Sequence, residues 1–326
     1  MEEFIIDAHS HLWLRQDTMV DGQAIRTLDK NGSRSTFFGE ERQMLPPFII
    51  DGRNTAEVFL SNMDYAQVSA AVVVQEVIDG CQNDYLILSN MDYAQVSAAV
   101  VVQEVIDGCQ NDYLIEVQRQ WPDRFFCMGM CNTEEDAVKL KTAGLKGVAI
   151  PGHRLSTPLH DMMPMFKYME REGMVLSICL GEDERQIAEM GEIIEECPNL
   201  KVAIGHFGMV TTTAFESQVK LALRGKNVMI ESGGITWLYN NEFYPFPSAV
   251  RSIKQAADWV GFDRLMWGSD YPRTITAITY RMSYDFILKS GEMRDADKIA
   301  FLGGNAKRFY GFPNLVELPY IKNMSE

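Results

Sequence analysis

The chain has 326 residues, 46% hydrophobic and 23% charged, a globular composition long enough for one large α/β barrel or two small domains. Its formal net charge of −15 offers no positive field to a phosphate backbone, so nucleic acid is not an expected partner. An anionic substrate must instead be met by local Arg or Lys side chains. Six cysteines without a CxxC pair do not make a disulfide framework, and Cys127 and Cys131, within FFCMGMC, read as buried packing on a strand. The N-terminus, MEEFIIDAHSH, shows no basic segment followed by an apolar stretch, and no apolar run approaches the ~20 residues of a membrane span. A cytoplasmic protein without membrane contact is expected.

Short apolar runs alternate with amphipathic stretches along the whole chain, the pattern of βα units on a parallel sheet. Strands are predicted at 4–9, 70–75, 98–103, 125–131, 146–150, 174–180, 201–206, 228–231 and 264–268. Helices are predicted at Thr55–Gln67, Glu134–Ala143, Pro164–Glu172, Asp183–Cys197, Ala249–Val260 and Ile278–Ser290. Two long loops follow strand ends: 12–53, and 232–247, whose sequence SGGITWLYNNEFYPFP is rich in aromatics. Both fall on the face where barrel enzymes place their sites, and both are expected to form a rim. With no Ser/Gly linker, 1–326 reads as a single domain.

Residues 60–87 recur without one difference at 88–115. A solenoid would show several diverged copies, so this is one unit duplicated once, by recent duplication, engineering or cloning error. Each copy carries a helix end, the strand AAVVVQ, a loop with Asp-Gly (Asp79-Gly80 in the first) and a helix start (Asp84 in the first). That amounts to one βα unit. Removing it leaves eight strands, the number that closes a (β/α)8 TIM barrel, and 298 residues. One copy is therefore expected to supply the barrel's second strand and the other to be extruded.

The strongest local motif is Asp7-Ala8-His9-Ser10-His11 at the end of the first strand. Side chains two apart on a strand share one face, so His9 and His11 can grip one ion together. KVAIGHFG places His206 at another strand end. LMWGSDYP places Asp270 just past the last strand, with Gly268 allowing close backbone approach. LGGNAKRFYGF then closes the chain.

In that order these motifs resemble the amidohydrolase superfamily, over residues 4 to 312 apart from the repeat. The likeness is to the branch of aminocarboxymuconate-semialdehyde decarboxylase, related aromatic-acid decarboxylases, and sugar-acid or pyrone lactonases. The resemblance implies that His9, His11 and Asp270 bind one divalent metal, zinc by preference, leaving an open position for water. It implies that His206 manages a proton on the water or polarises the substrate. Cys179 stands where many relatives carry a metal-binding histidine, and buried packing without ligation is expected for it. No lysine ends the fourth strand of the family pattern, so a carboxylated-lysine bridge between two metals is not expected. Dimers are frequent among such relatives, which makes a homodimer the expected assembly.

Pro151-Gly152-His153-Arg154 ends that same strand. Arg154 or Arg273 is expected to clamp a substrate carboxylate, and His153 to hold a hydroxyl or carbonyl. Glu231 is a candidate polar pocket residue, Trp13 and Trp237 candidates for an apolar wall, and His160 is assigned nothing. The leading expectation is a metal-dependent hydrolase of a small carboxylated lactone or similar ester-like substrate. The alternative is a non-oxidative decarboxylase of an unsaturated or aromatic acid. A third reading, from another class, is an inactive metal-binding barrel.

Overall fold

The computed structural model describes residues 4–14, 19–20, 23–24, 34–37, 40–43, 45–46, 49, 53–65, 70–76, 98–104, 109–122 and 125–315. One parallel sheet runs through the strands β1 (Ile6–Asp7), β2 (Ala70–Glu76), β3 (Ala98–Glu104), β4 (Phe125–Gly129), β5 (Gly147–Ile150), β6 (Val175–Ile178), β7 (Lys201–Ile204), β8 (Val228–Glu231) and β9 (Leu265–Met266), in that order. The last strand returns to the first. Ala8 N–H donates to the Trp267 carbonyl (2.9 Å), His11 N–H to Tyr271 (2.7 Å), and Asp270 N–H to the His9 carbonyl (2.8 Å). The architecture is a TIM-type barrel.

Period-two alternation explains why continuous apolar runs suit these strands, since both faces are buried. Phe125, Cys127, Val148, Leu176, Ile178, Val202, Ile204, Val228 and Ile230 face outward into the layer of helices. Between them, Phe126, Met128, Ala149, Val175, Ala203, Met229 and Met266 fill the interior. The tail motif closes that interior: Ala306, Phe309, Tyr310 and Phe312 join the inner cluster. Asn305 Nδ2 donates to the carbonyls of Phe262 and Leu265 at 2.7 Å each, tying the tail to the start of β9. The helices sit where the pattern places them. Thr133 caps Glu134–Thr142 by accepting from Asp136 N–H (3.2 Å), and Asp183 caps Glu184–Glu196 through Arg185 N–H (2.9 Å).

The extruded copy is not what the structure shows. The strands of both copies lie in the sheet, with Ala70 opposite Ala98 through Glu76 opposite Glu104, so the strand number rises from eight to nine. The physical reason is the identity of the copies. Whatever edge accepts one AAVVVQE strand accepts the other, and pairing them closes a strand edge that extrusion would leave open. The first copy's Asp79-Gly80 loop and Asp84 helix start lie outside the described residues. The second copy does continue into a helix, Asn111–Gln120. Within the long loop 12–53, two short antiparallel pairs occur, Met19–Val20 with Gln23–Ala24 and Arg34–Phe37 with Glu40–Gln43.

The extra strand is inserted between β1 and β3, away from the arc β7–β8–β9–β1. Deleting either copy gives the same 298-residue chain, in which β1 would pair directly with the remaining strand. We expect that chain to melt at least as high as the parent and to take up the same amount of metal. Parallel thermal melts and elemental analysis check this, and lost metal uptake would show that the ninth strand supports the site.

Candidate metal centre

The arc β7–β8–β9–β1 brings five side chains to the C-terminal ends of the strands. His9 and His11 follow β1, His206 follows β7, Glu231 ends β8 and Asp270 follows β9. His9, His11 and Asp270 are buried, and one ligand atom from each lies within 4.8 Å of the other two. His11 Nε2 is 2.8 Å and His9 Nε2 3.7 Å from Asp270 Oδ1. His206 stands beside them, its ring centroid 4.7 Å from that of His9. His206 (φ 53°) and Asp270 (φ 61°) both hold left-handed backbone conformations, rare for residues with a Cβ and found where a site over-determines the chain.

Glu231 is more than a polar pocket residue. Its Oε1 is 2.6 Å from His9 Nδ1, and its Oε2 accepts from Gly233 N–H at 2.6 Å. A carboxylate on Nδ1 favours the tautomer with its proton there, turning the lone pair of Nε2 toward Asp270 and any shared ion. Three strand-end glycines make room for this pair. A Cβ on Gly205 would come within 2.7 Å of Glu231 Oε1, one on Gly233 within 2.7 Å of His9 Cγ, and one on Gly268 within 2.6 Å of His9 Cβ. The close approach expected at Gly268 is therefore real, and it serves His9.

Electrostatics at the centre favour an added cation. Burial pushes the Asp7 carboxyl up to about 7 against hydrogen bonds from Ser269 and Tyr280. Burial likewise pushes Glu231 up to about 8, against the charge of His206 and backbone bonds from Gly233 and His206. For Asp270 burial acts in the same direction, but the Arg273 charge and the hydrogen bond from His11 outweigh it and hold the carboxyl well below the usual range. Burial takes His11 down to about 3, so its ring is a neutral ligand at physiological pH. Three buried carboxyl groups thus lie together, two of them raised toward their protonated forms, which a cation added nearby would oppose; two imidazoles with one carboxylate are a donor set zinc accepts. Among the described residues His11 Nδ1 is also buried without a hydrogen-bond partner. The residues present fit one divalent ion.

A cavity of about 20 Å³ opens beside the centre, room for roughly one water, and is lined by His11, His206, Arg273, Ser177, Cys179 and Val102 among others. The Arg273 guanidinium stands 5.8 Å over the Trp237 ring. His206 Nδ1 is 3.1 Å from the Gly233 carbonyl, which only accepts, so Nδ1 carries the proton and Nε2 is left as the base. Cys179 lines the cavity but lies outside the ligand group, in line with its reading as a non-ligand.

Other candidates fall elsewhere. His153 and Arg154 are exposed on the turn Gly152–Arg154 and do not line the cavity. His153 Nδ1 lies 3.4 Å from the Cys179 carbonyl. Trp13 packs with Leu45 and Ile49 and does not line the cavity. His160 is 3.3 Å from Glu192 at the surface. Sequence reasoning passed over Asp7, Ser269 and Tyr280, which the structure brings together behind the ligands. For Asp7 the signal was its place in the strand-end motif, two residues before His9.

Comparison with known proteins agrees with this geometry. The model of the amidohydrolase family matches residues 86–312, more than half of the chain. The chain belongs to that family, whose chemistry is that of metal-dependent enzymes. The match includes His206, Glu231 and Asp270 and leaves out His9 and His11, which the fold supplies. No curated protein matches the sequence. Solved structures share the fold at low identity. A probable 2-pyrone-4,6-dicarboxylic acid hydrolase of Acinetobacter baumannii with citric acid bound is 17% identical, with TM-score 0.60 over 95% of this chain and 100% of that one. An amidohydrolase of Burkholderia multivorans with bound zinc is 14% identical, with TM-score 0.64 over 95% and 100%. A 5-carboxyvanillate decarboxylase of Novosphingobium aromaticivorans with bound manganese is 14% identical, with TM-score 0.59 over 94% and 97%. Among the described residues no helix is long and apolar enough to cross a membrane.

Glu231→Ala should weaken metal binding about 10–100-fold by releasing the His9 ring. Titration of metal-stripped protein against a chromophoric chelator measures this. An unchanged affinity would reduce Glu231 to a filler of the glycine cradle.

Proposed function

We propose that the protein hydrolyses a small carboxylated lactone or a similar ester-like bond, using one divalent cation, zinc by preference, held by His9, His11 and Asp270. The observation that supports this most directly is a two-imidazole, one-carboxylate ligand group that shares His11 with a cavity lined also by His206, the proposed base, and Arg273. One structural relative is a probable 2-pyrone-4,6-dicarboxylic acid hydrolase and another holds bound zinc, which accords with this choice.

Bound there, the cation would polarise the scissile carbonyl and render a water acidic near neutral pH. The chain's residues do the rest. Glu231 holds His9 in the ligating tautomer, and the Gly233 carbonyl holds the proton of His206 on Nδ1. Nε2 of His206 then takes one proton from the attacking water as its oxygen bonds to the carbonyl carbon. When the carbonyl re-forms, the ring C–O bond breaks and the leaving oxygen takes that proton back from Nε2, yielding a hydroxy acid. Arg273 pairs with the substrate's carboxylate, its guanidinium steadied against Trp237. Because the cavity holds roughly one water, entry of substrate requires rim side chains, Arg273 among them, to swing outward. In this reading His153 and Arg154 touch only a substrate that extends to the rim.

The test is a screen of carboxylated lactones beside aromatic and unsaturated carboxylic acids, with metal measured on the same sample. We expect about one metal per chain, a ring-opened acid as product, and activity that chelation removes and zinc restores. Released carbon dioxide would move the chemistry to decarboxylation. Turnover by protein that neither contains nor takes up metal would defeat both readings. His206→Asn should lower kcat by about 10²–10⁴-fold with metal content retained. A near-normal kcat would reduce His206 to packing.

A further inference from the structure

We propose that Asp7 is a positioning residue that clips the end of β1 to the segment after β9, and thereby fixes the spacing of the three ligand atoms. This inference rests on the metal reading of His9, His11 and Asp270 and concerns how the chain holds them. The ligands come from opposite sides of the barrel's closing seam: His9 and His11 from one side, Asp270 from the other. The seam is thin, since β1 (Ile6–Asp7) and β9 (Leu265–Met266) have two residues each and meet beyond their ends through the bridge Ser10–Tyr271 and the three backbone bonds from Ala8, His11 and Asp270. A thin seam lets the ligand spacing drift unless something braces it.

Asp7 supplies the brace. It is wholly buried, and each carboxylate oxygen serves the seam. Oδ1 accepts from His9 N–H at 3.1 Å on its own strand and from Ser269 N–H at 2.8 Å across the seam. Oδ2 accepts from the Ser269 and Tyr280 hydroxyls. Ser269 immediately precedes Asp270, and Asp270 N–H donates back to the His9 carbonyl at 2.8 Å. One carboxylate therefore joins the residue before the acidic ligand to the backbone of the first imidazole ligand. A polar side chain serving only the core would need its bonds satisfied, but not by the two backbones that carry the ligands.

The experiment measures zinc affinity on metal-stripped protein by chelator competition, with the visible spectrum of the cobalt form as a report on ligand geometry. Asp7→Ala should bind zinc about 10–100-fold more weakly, with an altered cobalt spectrum. Asp7→Asn should recover most of the affinity, because its Oδ1 still accepts both N–H groups and the two hydroxyls can rotate to accept from Nδ2. Tyr280→Phe, which keeps the carboxylate but removes one bond, should show a smaller loss. A purely structural Asp7 would lower the melting temperature of the metal-free protein and leave zinc affinity and the cobalt spectrum unmoved, and that result overturns the proposal. Should Asp7→Ala fail to fold, Tyr280→Phe decides: weaker zinc binding supports the brace and unchanged binding overturns it. Wild-type protein that takes up no metal overturns the metal reading and the brace together, a result distinct from a tight wild-type site indifferent to these variants.

Discussion

Burial of Asp7, Glu231 and Asp270 around two imidazoles is the constraint on which the rest of the structure depends. A carboxylate removed from water must be paired, hydrogen-bonded or protonated. The chain does the first two at high density: Asp270 with His11 and the charge of Arg273, Glu231 with His9 and Gly233, Asp7 with Ser269, Tyr280 and His9. Even so, burial raises Asp7 and Glu231 above the ordinary carboxylate range. Asp270 alone of the three is held ionised, by Arg273 and His11, and it is the carboxylate that stands among the ligand atoms. The same crowding requires glycine at 205, 233 and 268, because a methyl group at any of them would meet His9, Glu231 or Cys179.

Much of this was legible in the sequence because the strands report themselves by apolar runs, and those of the ligand arc a second time by the His, Glu or Asp at or just past their ends. All nine predicted strands exist, and His9, His11, His206 and Asp270 meet as their strand-end positions implied. What stayed hidden depends on partners distant in the chain. Glu231 reads as one polar residue after VMI until His9, 222 residues away, supplies its contact. Tyr280 and Asp7 are 273 residues apart and meet only when the barrel closes. His153 and Arg154 follow a strand as expected, but the three-residue turn that holds them leaves both exposed and outside the cavity lining.

The repeat sets a geometric problem that composition cannot answer. Strand number, tilt and stagger are linked in a closed barrel, so a ninth strand enlarges the circumference. Where the strand enters matters more than its presence. It sits on the far side of β1 from β7, β8 and β9, so the neighbours that position the ligands, His206 and Glu231 remain contiguous. On the opposite arc β3, β5 and the end of β6 present Val102, Ile150, Ser177 and Cys179 to the cavity.

That division separates two properties usually coupled in a small site. The ligand arc is fixed by short hydrogen bonds among buried groups, and its chemistry depends on distances that tolerate little change. The opposite arc meets the cavity largely through apolar and uncharged side chains, which select by shape and make no bond that must keep its length. Arg273 belongs to the first arc by sequence, following Asp270 by three residues, yet its charge faces the space the second arc shapes. The shape of the cavity is therefore set largely by β3, β5 and the end of β6, and its charge by the segment that follows β9.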